Sequence, residues 1–305
     1  MHKSSAIYLV LIFLHCSFSI QSELQNMYKH FLITRFNLRK SDWVTNKNNV
    51  PVLTDEWHRN RFKLFSDFCT PSIAAQTSKN FEWLVFFDTS TKEEFRTIIQ
   101  NIQQQIPNFK PLFIDGMDAF LTSIHAYVSH CETDYIITSR MDNDDCLSLD
   151  YIDSVQQKFN RQDFMAIDFI NGYTLQIYPK VRLGKKLHQY NPFISLIERN
   201  INPKTIWSIP HNHWKHETKI LQVKDEKVWT SIIHQENKVN EFTGFGHVEI
   251  NTFFEKFKIS KSQLESISKR IEKYKHWEKL SFTNYLKSYW SFHFKNIKKV
   301  LGFYN

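Results

Sequence analysis

The sequence is poor in the residues that interrupt or cross-link a chain. Among 305 residues there are six glycines, eight prolines and four cysteines. The low glycine and proline content, without a fixed-period repeat, argues against a flexible linker and favours one continuous catalytic unit. The cysteines form no CxxC pair, which argues against a zinc site and is typical of buried thiols in a reducing compartment. We therefore expect a cytoplasmic protein.

Glycine-rich phosphate-binding loops are also missing. Neither GxGxxG nor GxxxxGK followed by Ser or Thr occurs anywhere in the chain. Such loops hold phosphates on their backbone N–H groups. A nucleotide bound by this protein would therefore need its diphosphate held by a metal ion and basic side chains.

Long apolar runs are scarce. Ala6 to Ile20 is an apolar run of fifteen residues, whereas a helix that spans a bilayer needs about 20. The run has the length of a signal-peptide core, but no clear cleavage site follows it. Two other interpretations stay open: a weak membrane anchor, or a translation start at Met27. We treat residues 1–27 as a leader that precedes a main domain of residues 28–252.

The net charge of +8 is confined to one end of the chain. Residues 253–305 contain twelve Lys or Arg and four Glu, so the remaining residues are neutral overall. A neutral body argues against nucleic-acid binding. In the tail the lysines alternate with aromatic residues, which is typical of a helix on an anionic membrane surface. The alternative is a set of solvated helices packed on the body.

The first half predicts strands that alternate with helices. Apolar, β-branched and aromatic segments at residues 30–37, 81–88, 109–115 and from Tyr135 predict four strands. The helix after Thr54 has Trp57, Arg61 and Leu64 at helical spacing, which indicates a face packed on the core. Alternation of this kind predicts an α/β fold with a mostly parallel sheet flanked by helices.

Polar groups stand where these strands should end. Arg35, Asp88, Asp115 and Asp142 each follow an apolar strand. In a parallel sheet the carboxyl ends of the strands share one edge, where ligands bind. We therefore expect these side chains to lie near one another, although each alone is more typical of a turn or helix cap.

The densest of these polar clusters is Asp142-Asn143-Asp144-Asp145. Close carboxylates repel one another by roughly 1 kcal/mol or more per pair unless a cation lies among them. Oxygen ligands favour a hard ion, Mg²⁺ or Mn²⁺. The alternative is a solvated acidic loop that caps a helix beginning near Leu147.

The second half is rich in histidine. His211, His213 and His216 lie close together in the sequence, and His234 ends an apolar run. A histidine from a late loop can complete the coordination of a metal ion. We select His234 for this role, because His211 and His213 alternate as residues on a strand do. A structural role for each histidine stays open.

Several segments, taken in order, resemble the rhamnosyltransferase family of bacteria and, more broadly, glycosyltransferases with the GT-A fold. The matching segments are HFLITRFNLR, RFKLFSDFCTPSIAAQTSKNFEWLVFFD, ITSRMDNDD, NPFISLIE and VWTSIIHQEN, between Lys29 and Asn240. The resemblance implies transfer of a sugar from a nucleotide-diphosphate donor to a saccharide or lipid-linked acceptor, in the synthesis of surface polysaccharide.

The resemblance also implies roles for individual residues. Asp142 and Asp144 would hold Mn²⁺ or Mg²⁺ against the diphosphate. The other implied site residues are Arg35 and Arg140 beside the phosphates, Asp88 and Asp115 at the donor base and ribose, and Asp145 orienting a neighbour or the acceptor. In the alternative interpretation, Arg35 or Arg140 forms a structural ion pair and does not contact the phosphates.

Two acids downstream are candidates for the base that takes the acceptor proton, Glu198 and Asp168. We favour Glu198, because Asp168 lies inside an apolar run that resembles a strand. Nothing in these residues identifies the sugar, since donor choice depends on pocket shape.

Two other functions remain open from the sequence. A metal-dependent phosphotransferase or hydrolase also places acids at a strand end, but it would show a nucleophilic Asp on the first strand, where this chain has Thr34 and Arg35. A non-catalytic carbohydrate-binding protein at the membrane surface explains the acids and the tail. It does not explain the polar groups at successive strand ends.

Overall fold

The computed structural model describes residues 26–45, 49–237 and 241–304. The apolar leader at residues 6–20 therefore lies outside the described residues. Strands and helices alternate through the first half, as the sequence predicts. In order they are β1 (Tyr28–Arg35), α1 (Asp55–Leu64), α2 (Thr70–Ala74), β2 (Glu82–Asp88), α3 (Glu93–Gln105), β3 (Phe109–Ile114), α4 (Phe120–Val128) and β4 (Tyr135–Arg140).

The second half contains more strands. These elements are β5 (Cys146–Leu147), α5 (Tyr151–Gln156), β6 (Phe164–Gln176), β7 (Arg182–Leu187), β8 (Ser195–Arg199), β9 (Ile220–Ile233), α6 (Ile250–Lys256), α7 (Lys261–Arg270) and α8 (Glu278–Val300). His211 and His213 lie on a 3₁₀ helix, His211–His216, so the prediction that they alternate on a strand is wrong.

The strands of the described chain form one sheet in the order β3-β2-β1-β4-β8-β6-β9-β5, with β7 paired to β6. The first four in this order are parallel. Ile33 of β1, for example, pairs with Leu84 on one side and Arg140 on the other. Their carboxyl ends therefore meet at one edge of the sheet, which is where the predicted site should be.

Beyond β4 the sheet becomes mixed. Strand β8 runs antiparallel to β4 and places Glu198 opposite Ile136, and β6 runs antiparallel to β8. Strand β9 is parallel to β6 and also pairs with the short β5. Because β5 pairs with β9, the loop after β4 is brought close to the end of β9.

Side chains alternate between the two faces of the sheet, and each face is covered by helices. On one face Leu32 and Val85 join a cluster with residues of α1, α3 and α5, and on the other Ile33 and Leu84 join residues of α4. Burial of a large apolar side chain contributes roughly 1.5–3 kcal/mol. The predicted α/β class, with helices flanking a sheet, is confirmed.

The C-terminal segment is helical but not separate from the core. Phe253, Phe257 and Ile267 are buried in one cluster with Cys146 and Leu183 of the main domain. Part of the tail therefore packs on the body. Within the described ranges, no helix has the length and apolarity needed to cross a bilayer.

Candidate active site

The acidic stretch Asp142–Asp145 forms the loop between β4 and β5, at the carboxyl edge of the parallel strands. Asn143 attaches this loop to the end of β1, because its Nδ2 donates to the carbonyl oxygen of Arg35 at 3.1 Å and to the next carbonyl at 2.9 Å. The next helix begins only at Tyr151. The interpretation as a solvated loop that caps a helix near Leu147 is therefore wrong.

Asp144 is the centre of a buried polar network. Its Oδ2 accepts from Nη1 of Arg61 at 2.7 Å and contacts Nε2 of His234 at 2.8 Å. The same Nη1 donates to Oδ1 of Asn143 at 3.1 Å. Burial by itself raises the pKa of Asp144, but the charges and hydrogen bonds of Arg61 and His234 outweigh it and hold the pKa below its ordinary value. Asp144 is therefore a stable anion.

The surroundings of Asp145 raise its pKa, whereas those of Asp144 lower the pKa of that residue. It is 3% exposed, and its Oδ1 accepts from the backbone N–H of Ile232 at 2.9 Å. Burial, and then the charges of Asp144 and Asp142, raise its pKa well above the ordinary value, against a smaller effect of Lys186. The site thus disfavours the ionised form of Asp145.

Two guanidinium groups lie over one indole ring beside the acids. Arg140 is 4.0 Å and Arg35 is 5.3 Å from the ring centroid of Trp207. Burial lowers the pKa of Arg140 to about 10, with Asp142 raising it and Arg35 lowering it. The Nε of Arg140 is buried and has no hydrogen-bond partner in the described chain. The two arginines form a positive edge next to Asp142.

A cavity of about 480 Å³ opens at this edge. It brings together three of the predicted site residues, Arg35, Asp142 and Asp144, and lies against Asn143. Its other charged and polar lining comes from Lys40, Arg61, Glu236 and Asn237, and its aromatic lining from Phe36, Trp43 and Trp57. A space with separate cationic, anionic and aromatic surfaces suits a ligand that has phosphate, metal and ring components.

Asp88 and Asp115 form hydrogen bonds with Arg39 and do not line this cavity. Both accept from the guanidinium of Arg39, and Asp88 also accepts from the Arg39 backbone N–H at 3.0 Å. Gly116 has φ +76°, and the backbone of Met117 donates to the Arg39 carbonyl at 2.8 Å. The two acids therefore hold the segment after β1 in place, and their contact with the donor stays a prediction.

Glu198 lies at the wrong end of the sheet for the predicted role. It pairs with Ile136 near the start of β4, whereas the acidic loop follows the end of that strand. Its two oxygens accept from the backbone N–H groups of Lys204 and Thr205, both at 2.8 Å. The prediction of Glu198 as the base is wrong, because β8 runs antiparallel and its carboxyl end lies at the opposite edge.

Asp168 is also unsuited to that role. Its two oxygens accept from the backbone of Tyr190 at 2.8 Å and from Nδ2 of Asn191 at 2.7 Å. It is fully buried in β6, and burial raises its pKa to about 7. These bonds identify a structural carboxyl group that organises the turn before β8.

Both ring nitrogens of His234 have hydrogen-bond partners in the described chain. Its Nδ1 accepts from the backbone N–H of Glu236 at 3.2 Å, and its Nε2 lies 2.8 Å from Oδ2 of Asp144 and 3.1 Å from Nδ2 of Asn237. The Nδ1 of His211 lies 2.6 Å from the carbonyl oxygen of Tyr190. His234 is therefore a hydrogen-bond partner of Asp144 here, and its role as a metal ligand stays a prediction.

The remaining donor set fits a divalent cation that arrives with a diphosphate. In the described ranges no three His, Cys, Asp or Glu side chains form a complete metal site. The carboxylate of Asp142 has no hydrogen bond or ion pair to a described residue, and the carboxylate of Asp144 uses only one of its oxygens. Magnesium-type ions are commonly held by one or two carboxylates together with substrate phosphates. Asp142 and Asp144 provide that number.

Sequence reasoning missed four residues of this site, namely Lys40, Trp43, Arg61 and Glu236. A usable signal existed for Arg61. It occupies a position on the apolar face of α1, where an arginine needs a buried anion as partner. That anion, Asp144, is more than eighty positions away in the sequence, so only the folded chain identifies it.

Asparagine substitutions at the two adjacent acids are expected to affect stability in opposite directions. Asp144→Asn leaves Arg61 and His234 without their anion and lowers the free energy of unfolding by roughly 3 kcal/mol, the scale for breaking a buried ion pair. Asp145→Asn replaces a carboxyl group whose ionised form the fold disfavours and retains an acceptor for Ile232, so it raises the free energy of unfolding at pH 7.

Urea unfolding of metal-free protein at pH 7 and pH 4.5 measures both effects. A raised pKa in the folded state destabilises the wild type progressively as pH rises above the unfolded-state value. The advantage of Asp145→Asn should therefore shrink at pH 4.5. Similar destabilisation by both variants at pH 7 would contradict this distribution of charge.

Several solved structures match part of this chain at low sequence identity. TarS 1–349 of S. aureus shares 13% identity over 67% of this chain and 60% of that chain, with a TM-score of 0.39. The same TarS fragment in complex with UDP gives 12% identity, equal coverage and the same TM-score. A structure described as a putative nucleotide-diphospho-sugar transferase from Desulfovibrio desulfuricans G20 shares 8% identity over 81% of this chain and 100% of that chain, at a TM-score of 0.39.

The chain thus spans about three fifths of the TarS fragment. No match was found among curated proteins. The sequence profile of one protein family, described as "Putative rhamnosyl transferase", matches residues 29–244. Because this match covers well over half of the chain, the protein belongs to the rhamnosyl transferase family of that description.

Proposed function

We propose that the protein transfers a sugar from a nucleotide-diphosphate donor to an acceptor hydroxyl, with Mn²⁺ or Mg²⁺, in the assembly of a surface polysaccharide. The observation that carries the proposal is the cavity at the carboxyl edge of the parallel strands. There the half-exposed Asp142 lines the same space as Asp144 and the basic groups of Arg35 and Arg61. Membership of the family supports the same reaction class and suggests rhamnose as the donor sugar.

In this proposal the diphosphate lies between Arg35, Lys40 and the acidic loop. A divalent ion held by Asp142 and the free oxygen of Asp144 would neutralise charge that develops on the leaving nucleotide. Arg61 keeps Asp144 ionised and oriented. The aromatic lining, Trp43 and Trp57, offers apolar surface to a nucleobase or sugar ring.

Glu236 is our candidate for the base that takes the acceptor proton. It lines the cavity, and Nδ2 of Asn60 holds its Oε1 at 2.8 Å. Its Oε2 is buried and has no hydrogen-bond partner in the described chain. Glu236 is therefore an oriented carboxylate with one unpaired oxygen. It lines the same cavity as Asp142 and Asp144, whereas Glu198 lies at the other edge of the sheet.

The competing hydrolase or phosphotransferase function lacks its nucleophile. Thr34 near the end of β1 is buried and accepts from Nε1 of Trp83 at 3.0 Å, and Arg35 follows it. No carboxylate occupies the end of that strand. Turnover of the donor distinguishes the transferase from the non-catalytic alternative, because only an enzyme consumes the donor.

A nucleotide diphosphate is expected to stabilise the protein in the presence of Mn²⁺. Ligand at a hundred times its Kd adds about 2.7 kcal/mol to the free energy of unfolding, which raises Tm by several degrees. A thermal-shift screen of UDP, GDP, dTDP and their sugar conjugates, with and without EDTA, measures this. Asp142→Asn should lose the metal-dependent shift and lower donor turnover by roughly a hundredfold or more.

Asp115→Asn is the matched control, because this exposed carboxylate binds Arg39 outside the cavity. It should retain the shift and most of the turnover. Full turnover by Asp142→Asn, or in excess EDTA, would exclude the metal role. Absence of any nucleotide-dependent shift or turnover would refute the transferase.

Glu236→Gln is expected to lower kcat by roughly 10²- to 10⁴-fold, the usual range for general base catalysis. The glutamine still accepts from Asn60, so the thermal shift caused by the donor should not change. Asn60→Ala is the control, since it removes the support but not the base, and it should reduce kcat less. An unchanged kcat in Glu236→Gln would assign the proton transfer to another group.

We further propose that the C-terminal helix α8 contacts an anionic membrane surface. One face of α8 exposes large apolar side chains, including Phe282 (63% exposed), Trp290 (75%) and Ile297 (55%). These residues recur at helical spacing, and the flanking residues include Lys298 and Lys299. An apolar face bordered by lysines suits the interface of an anionic bilayer. The enzyme would then lie at the inner face of the cell membrane, close to a lipid-linked acceptor.

The double variant Phe282→Ser/Trp290→Ser is expected to bind anionic vesicles at least roughly tenfold more weakly, because it removes two aromatic anchors. Vesicle sedimentation with the full chain measures this, and Ile201→Ser, a similarly exposed apolar residue outside α8, is the control. Truncation is a poorer test, since Phe253 and Phe257 belong to the core. Equal binding by the variant and the wild type would refute membrane contact through this face.

A further inference from the structure

A second cavity of about 460 Å³ lies on the opposite face of α8 from its exposed apolar residues. Its walls are the end of β7 with the residues that follow it, and helix α8. Ser288, Ser291 and Lys295 recur every three or four residues, and Lys287 lies four residues before Ser291, so all four share the face of α8 that lines the cavity. The helix lies beyond residue 244, where the family match ends. This cavity is therefore completed by the C-terminal extension.

The cavity is positively charged. Lys186, Lys287 and Lys295 line it together with a single carboxylate, Glu241. None of the three lysines forms a salt bridge with a residue in the described part of the chain. The only hydrogen bond of the Lys186 ammonium group there is to Oγ of Ser231, at 3.4 Å. Burial lowers the pKa of Lys186 and of Lys295, a cost that a bound anion would remove.

Two further lining residues carry buried polar atoms without partners. The Nδ1 of His188 and the Oε1 of Gln189 have no hydrogen bond within the described ranges. Gln189 is 3% exposed, and its Nε2 is already fixed by Gln222 and Asn296. Burial, reinforced by nearby positive charges, lowers the pKa of His188 well below its ordinary value, so its ring is neutral. Unpaired polar atoms of this kind indicate an unfilled polar site.

The cavity is connected to the acidic loop through Lys186. The Nζ of Lys186 donates to Oγ of Ser231 at 3.4 Å. Ser231 precedes Ile232, whose backbone N–H donates to Asp145 at 2.9 Å. The cavity therefore lies beside the segment of β9 that binds Asp145.

We propose that this second cavity binds a phosphate group of the acceptor, held by Lys186, Lys287 and Lys295 with the hydroxyl groups of Ser288 and Ser291. Phosphate is the anion that fits best, because its several oxygens can accept from ammonium and hydroxyl donors that converge from different directions. The assignment to the acceptor rests on the proposed transferase function. The anion site itself does not.

The binding experiment uses inorganic pyrophosphate and the full chain in EDTA, measured by calorimetry. The charge-neutralising variant Lys287→Gln/Lys295→Gln is expected to weaken binding roughly tenfold or more, as loss of about 1.4 kcal/mol would. The control Lys279→Gln/Lys298→Gln removes the same charge from α8 outside the cavity. Arg35→Gln removes one from the donor cavity.

If the α8 control variant weakened pyrophosphate binding equally, the loss would be due to net charge and not to the cavity, and the proposal would be overturned. Weakening only by Arg35→Gln would place the pyrophosphate in the donor cavity and would also overturn it. The thermal shift with nucleotide and Mn²⁺ should be unchanged in Lys287→Gln/Lys295→Gln. Failure of the anion site is therefore distinguished from failure of the transferase.

Two further arms identify the source of the phosphate. Vesicles that contain phosphatidic acid should compete with pyrophosphate if the acceptor is a lipid phosphate, whereas glucose 1-phosphate should compete if it is a soluble sugar phosphate. With an active donor, Lys287→Gln/Lys295→Gln should raise the KM for the competing acceptor class without changing the donor KM. An unchanged acceptor KM would restrict the cavity to anion binding and refute its role in acceptor recognition.

Discussion

The buried contact of Asp144 with Arg61 and His234 is the interaction on which the arrangement of the site depends. It joins three parts of the chain that are far apart in sequence: helix α1, the loop after β4 and the end of β9. A buried carboxylate is costly unless it is paired and hydrogen-bonded, and here both conditions are met. The same contact orients one oxygen of Asp144 and leaves the other available to a ligand. Stability of the loop and readiness for a cation therefore have one physical cause.

The rest of the acidic loop shows the opposite balance. Asp145 is buried beside two other carboxylates, and Lys186 offsets only part of the resulting repulsion. A fold selected for stability alone would not retain this residue as an acid, because an uncharged side chain would fill the same space at a lower cost. In the proposed function, a cation that approaches from the cavity lined by Asp142 would offset the repulsion among these carboxylates.

Helix α8 combines one wall of the second cavity with the proposed membrane contact. One face carries the lysines and serines of the second cavity, and the opposite face exposes Trp290 and its apolar neighbours. Lys186 of this cavity donates to Ser231, next to the residue whose backbone binds Asp145. In our proposal an acceptor that reached the protein along α8 would have its phosphate held beside the helix. In such an arrangement the extension contributes to acceptor binding as well as to location.

Much of this organisation was predictable from local patterns in the sequence. Apolar and β-branched segments predicted the parallel strands, and their ends located the edge where Arg35, Asp142 and Asp144 line one cavity, because parallel strands share the direction in which they end. The composition of the tail correctly indicated helices, and the low glycine content excluded a phosphate-binding loop. These features depend on periodicity and on residues adjacent in the chain.

Only the tertiary structure decided which groups face each other. Glu198 was misplaced because nothing in a short strand reveals that it runs antiparallel to its neighbour, which puts its end at the opposite edge. Asp88 and Asp115 contact Arg39, and His234 contacts Asp144. The partner of a side chain is set by packing in the folded chain and not by spacing in the sequence. For the same reason Arg61 and Glu236 were found only in the folded chain. The sequence by itself determined the class of fold and the acidic loop at its functional edge, and the fold determined how those acids are paired, because pairing depends on contacts between residues distant in sequence.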